Sequence, residues 1–196
     1  MSELTAKELY IRQISIPHEI PADNYVAQIP IVQHLMRHTL ELHKPVTIFV
    51  GENGIGKSTL IEAIAVAMRF NAEEKRRYGM KSLHEQSHGE SFMALLENRF
   101  EGNGLYILDE LEAVLSPMRL MRMMYIMHDL IQRESQFIIS THSPLLMMFP
   151  GADILQCTQD GIARVRYQDT EHYQITRMFM DNPDRMFHYL FTEDAQ

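Results

Sequence analysis

Three glycines, a lysine and two hydroxyls fall in the spacing G-x-x-x-x-G-K-[ST] over Gly51, Glu52, Asn53, Gly54, Ile55, Gly56, Lys57, Ser58 and Thr59. Glycine is needed in such a stretch because the backbone must wrap an anion closely and enter conformations closed to other residues. The loop amides and the positive end of a following helix then supply donors and field. In this pattern Lys57 reaches the β- and γ-phosphates of a nucleotide, and Ser58 gives its hydroxyl to Mg²⁺. Downstream, Asp109 and Glu110 end an apolar run, LYILDE. Two acids at a strand end suit metal binding by Asp109 and activation of an attacking water by Glu110. His142, in Ser140-Thr-His-Ser-Pro144, follows another apolar run and can donate a hydrogen bond to a γ-phosphate. Ser87-His-Gly-Glu-Ser91 puts small residues before an amphipathic segment, by itself no more than a capping or anion-site signal.

These residues act together only if the surrounding elements deliver them to one edge. Val46–Val50 is a continuous, largely β-branched run and reads as a strand buried on both faces. Lys57–Phe70 follows as a helix, with Leu60, Ile61, Ile64, Ala65 and Met68 at helical spacing. Gly104–Leu108, Gln136–Ser140 and Asp153–Cys157 read as further strands, Ile162–Tyr167 as an edge strand and Tyr10–Ile16 as an early strand. Ser116-Pro117 opens a helix running to about Glu134, with Ser116 as its N-cap. Val32–Leu42 reads as a short helix, Gly89–Phe100 as another, and Glu171–Phe191 as helical with a break at Pro183. Strands alternating with helices give an α/β fold with a mostly parallel sheet flanked by helices, organised as one domain over residues 1–196.

Composition restricts the partners. Hydrophobic residues make up 45% of the 196 residues and charged residues 22%, an ordinary globular balance that excludes a disordered chain. The net charge of −8 offers no general attraction to nucleic acid or anionic lipid. Lys75-Arg76-Arg77 is the one compact basic patch, and three adjacent cations read as a solvated turn. Cys157 is the single cysteine, which excludes an internal disulfide and fits a reducing compartment. MSELTAKELY lacks a signal peptide's basic start and apolar stretch, and no apolar run reaches a membrane span, so the expectation is a cytoplasmic protein. Met118, Met121, Met123, Met124 and Met127 read as a core-facing stripe, or as an adaptable partner surface should some be exposed.

In this order the four motifs resemble the ABC-type ATPase class, and within it the small stand-alone ATPases of bacteria placed in the AAA family. The resemblance covers VTIFVGENGIGKSTLIEAIAVA, SLHEQSHGESFMALLENRF, LYILDELEAVLSP, QFIISTHSPLLMMFPGADILQ and DTEHYQITRMFMDNP, most of the chain. It implies a P-loop NTPase fold, an ABC-type ATPase head with Gly51–Thr59 as Walker A, Asp109 and Glu110 as Walker B, and ATP with Mg²⁺ as cofactors. It further implies that Ser87, Gly89 and Glu90 belong to a signature motif contacting the γ-phosphate held by a second subunit. Ala113–Ser116 is then the D-loop and His142 the switch histidine. ATP sandwiched between two heads makes a nucleotide-dependent homodimer serving an unidentified protein partner. His88 and Glu90 depart from the transporter signature and suit the non-transporter branch; Leu111 replaces a common proline. The connection at about residues 71–88 is short where the class carries a helical or arm insert. Leu60–Glu85 also holds no glutamine to serve as the Q-loop residue, with Gln86 a poor substitute.

Four functions follow as expectations. The first is an ATPase acting as a dimerising switch. The second is a nucleotide-binding interaction module with little turnover, suggested by the missing glutamine. A transporter motor fits less well, because the insert that docks membrane subunits is short. A DNA-repair or defence role is implied by likeness to SMC-like ATPases, without support from the acidic balance. For the adenine, Tyr10, Arg12 and Tyr25 are the N-terminal candidates.

Overall fold

A computed structural model describes residues 8–68 and 100–192 of the chain. In chain order its elements are β1 (Gln13–Ile14), α1 (Pro30–Arg37), β2 (Leu40–Glu41), β3 (Val46–Gly51), α2 (Lys57–Ala67), β4 (Leu105–Asp109) and α3 (Pro117–Gln132). They continue with β5 (Gln136–Ser140), α4 (Pro144–Met147), β6 (Asp153–Thr158), β7 (Gly161–Val165), α5 (Glu171–Asp181) and α6 (Pro183–Thr192).

Five strands form the main sheet in the order β4-β5-β3-β6-β7. The first four are parallel, with Phe49 opposite Ser140 and Asp109 opposite Ser140, and β7 closes the edge antiparallel to β6. Every residue of β5 and the first five of β3 are buried, as the unbroken apolar runs require of strands covered on both faces. Two cores result. One, around Met123, Met127, Phe137 and Leu146, lies between the sheet and α3; the other, around Ile31, Phe49, Ile61 and Ile138, lies on the side of α1 and α2.

Most expected elements are present within a residue or two. Tyr10–Ile16 forms only two strand residues, paired antiparallel with β2, because Pro17 and the irregular chain beyond leave nothing longer to pair. The expected helix Val32–Leu42 is α1 instead, started by Pro30 and ended where His38 turns extended into β2. Ser116 stands at the start of α3 with extended backbone, yet its side chain makes no capping bond; Pro117 at the first helical position does the initiating. The methionine stripe divides. Met123 and Met127 are fully buried, whereas Met118 and Met121 are 73% and 55% exposed beside Tyr125. Gly89–Phe100, apart from the buried Phe100, lies outside the described residues. Among the described residues no helix is long and apolar enough to cross a membrane.

Candidate functional site

The parallel register brings the C-terminal ends of β3, β4 and β5 to one edge. There β3 runs straight into the Gly51–Thr59 loop, and α2 begins at Lys57. Gly51, at φ +143°, lies so close to β6 that a Cβ would stand 2.3 Å from the Cys157 carbonyl oxygen. Gly56, left-handed at φ +103°, begins α2 with no side chain to cap it, so the first-turn amides keep free donors. That combination makes an anion cradle.

Lys57 is buried beneath this loop, and its Nζ donates to the carbonyls of Gly51 at 2.8 Å and Glu52 at 2.7 Å. Burial lowers its pKa, opposed by the thiol of Cys157 and the carboxylates of Glu110, Asp109 and Glu112. Those acids therefore lie within electrostatic reach of the ammonium. Ser58 is exposed at the head of the helix and Ile55 is buried under the loop. Asp109, the last residue of β4, has a buried Oδ1 with no hydrogen-bond partner. An orphaned buried carboxylate oxygen costs about 1–3 kcal/mol and is kept where a ligand satisfies it. Together with the exposed Ser58 hydroxyl it offers oxygen donors of the kind a hard divalent cation takes.

Glu110 adopts the left-handed conformation, φ +46° and ψ +53°, a strain of roughly 1–2 kcal/mol for a residue with a side chain. Its backbone N–H donates to the Ser140 carbonyl at 2.9 Å, fixing the turn against β5. The left-handed turn leaves its carboxylate 3.8 Å from the Nε2 of His142. His142 sits on the loop after β5, its Nε2 buried and without a hydrogen-bond partner. Burial lowers its pKa first, followed by the positive charge of Lys57 and by His172, with Glu110 and Glu112 opposing. Burial and the nearby ammonium thus favour the neutral imidazole.

Two residues escaped the sequence reading. Glu112 accepts the Thr141 hydroxyl at 2.7 Å and the His142 backbone N–H, tying the segment after β4 to the loop after β5. Its place two residues past Glu110 was the available signal. His172 meets the Nδ1 of His142 through its Nε2 at 2.9 Å, and no local pattern announces a contact across 30 residues. Beside the loop, a cleft of about 310 Å³ is lined by Gly51, Glu52 and Ile55 together with Thr158, Thr170 and His172. Tyr10 and Arg12 instead line an apolar groove with Thr59 and Ala63, and Tyr25 is 74% exposed. Ser87, Gly89 and Glu90 lie outside the described residues, as do Lys75-Arg76-Arg77 and Gln86.

Two family models match this chain. One, described as "AAA domain", covers residues 31–103, from α1 through the glycine loop. The other, described as "AAA domain, putative AbiEii toxin, Type IV TA system", covers residues 92–148, from before β4 through the His142 loop. Both matched models are AAA domains, so the chain is similar to AAA-domain ATPases over these two stretches. Between them the two matches take in the glycine loop, the two acids and His142, the residues gathered at the sheet edge. No curated protein matches the chain. Among solved structures it is similar to cbiO1 from Clostridium perfringens, part of the ABC transporter complex cbiONQ. That likeness is 17% in identity with a TM-score of 0.44, over 78% of this chain and 90% of the other.

Proposed function

We propose that this chain is a P-loop ATPase that binds ATP with Mg²⁺ on Gly51–Thr59, hydrolyses the γ-phosphate and uses the cycle as a dimerising switch. The observation that carries the reading is the convergence of Lys57, the unpartnered Asp109 oxygen, Glu110 and the unpartnered His142 Nε2 at one sheet edge. The loop amides bind the phosphates, and Lys57 exchanges its two carbonyl contacts for phosphate oxygens. Ser58 and Asp109 would hold Mg²⁺, which supplies charge neutralisation on the phosphates. Glu110 orients and deprotonates the attacking water; the oxygen–phosphorus bond forms as the bond to ADP breaks. His142 donates from Nε2 to the γ-phosphate, and a neutral, buried donor aimed at developing charge is an effective stabiliser.

The switch reading draws on the family resemblance, in which Ser87, Gly89 and Glu90 of a second copy complete the site and Ala113–Ser116 lines the contact. Separation of the dimer then follows loss of the γ-phosphate. Glu110→Gln keeps the shape of the side chain and removes the base. Turnover is expected to fall roughly 10²–10⁴-fold, with ATP still bound and the dimer trapped in light scattering after size exclusion. Parent-level turnover in that variant would refute the assignment of Glu110.

A second reading, nucleotide binding with little turnover, draws support from the absence of glutamine in Leu60–Glu85. Phosphate release by the purified chain that Lys57→Ala abolishes would decide for the enzyme. The description of the second matched model supports a defence-linked role, while the charge of −8 argues against free nucleic-acid binding. Duplex binding with and without ATP at two salt concentrations separates those outcomes.

A further inference from the structure

We propose that His172, in the first turn of α5, is a positioning residue that fixes the tautomer and aim of His142. The inference rests on the reading of His142 as a γ-phosphate donor. Its basis is the 2.9 Å contact between His142 Nδ1 and His172 Nε2, with ring centres 5.0 Å apart.

Two neutral imidazoles at that distance share one hydrogen, so two arrangements exist. If His142 donates from Nδ1, its Nε2 carries a lone pair facing the Glu110 carboxylate at 3.8 Å and has nothing to give a phosphate. If His172 donates instead, His142 keeps its hydrogen on Nε2, where the carboxylate attracts it. Electrostatics favour the second arrangement. The charged and titratable groups around His142 are Lys57 from α2, Glu110 and Glu112 from the segment after β4, and His172 from α5. Lys57 opposes a second proton on the ring, which preserves the neutral pair.

The mount is rigid at both ends. Glu112 holds the His142 backbone N–H, so only side-chain rotation remains free, and His172 removes that. The chain entering α5 is held by Thr170, 1% exposed, whose hydroxyl donates to the Tyr167 carbonyl at 2.7 Å two residues before His172. A side chain from α5 thus completes a site otherwise built from β3, β4, β5 and their loops.

The test uses the full chain labelled with ¹⁵N-histidine, the His142 signal being identified by its loss in His142→Asn. The parent is expected to show His142 with its hydrogen on Nε2. In His172→Leu that signal should move toward a mixture of tautomers, and turnover at saturating ATP should fall about tenfold with KM changed less than about twofold. His172→Gln, whose amide N–H donates from a similar position, should restore both. An unchanged tautomer in His172→Leu, unchanged turnover, or a His172→Gln no better than leucine would each overturn the proposal. Failure of the hydrolysis reading shows separately, as parent turnover no faster than Lys57→Ala; the tautomer signal then decides the role of His172 alone.

Discussion

Lys57, His142 and Cys157 all depart from their ordinary titration, and in each the first cause is burial against the same sheet edge. For the histidines this links to stability. His142 and His34 both have pKa values lowered by burial, with a neighbouring cation or His38 adding to the shift. As pH falls through the unfolded value near 6.5, the unfolded chain gains protons that the native chain resists, so stability falls on acidification. The urea midpoint is expected to drop between about pH 7 and pH 5.5, and to drop less in a His34→Asn, His142→Asn double variant. A double variant as steep as the parent would disprove the link. Cys157 lies 2% exposed and its thiol is pushed up to about 12. It should resist alkylation in the native chain at mild alkaline pH and react once unfolded, as read by mass spectrometry. None of these shifts was legible from residue type alone. The sequence marked His142 as one of ten histidines distinguished only by position, and His172 was not marked at all.

Each chemical residue is aimed by the end of an element, and the elements were readable because their signals are local. The apolar runs of β3, β4 and β5 matched their strands closely, since burial on both faces leaves no alternation to misread. Residues Tyr10–Ile16 misled because an apolar run without a long partner does not make a long strand. At the loop, the glycines are not equivalent. An alanine Cβ at Gly51 would strike the backbone oxygen of Cys157, which cannot move aside, whereas Gly54 at φ +81° faces open space. Gly54→Ala should cost roughly 1–2 kcal/mol from backbone strain alone. Gly51→Ala should cost more and abolish nucleotide binding; denaturant melts and nucleotide titration of both variants check the order. On α3 the burial split sets a similar contrast. Met127→Ala should destabilise by about 2–5 kcal/mol, and Met118→Ala by less than about 0.5 kcal/mol. Equal losses would mean that α3 is rotated from its described face.

For the whole molecule, the strand order decides what meets. β5 lies between β3 and β4, so the His142 loop emerges between the glycine loop and the two acids, although it follows them in sequence. A ligand held by groups on several elements should stabilise the fold as a unit. ATP with Mg²⁺ at a hundredfold excess over its dissociation constant is expected to add about 2.7 kcal/mol. Thermal melts should show that gain in the parent and lose it in Lys57→Ala; a gain surviving in that variant would place the nucleotide elsewhere. The sequence by itself determined the glycine loop, the strand before it and helix after it, the acids of β4 and the α/β class. These depend on residue type and short spacing: φ above zero favours glycine, a strand buried on both faces needs an apolar run, and proline suits the first turn of a helix. Only the tertiary structure decided that Glu110 turns left-handed toward His142, that Glu112 clamps the His142 backbone and that His172 reaches it from α5. Those contacts join residues brought together by parallel strand pairing and the packing of α5, and no local pattern encodes such pairings.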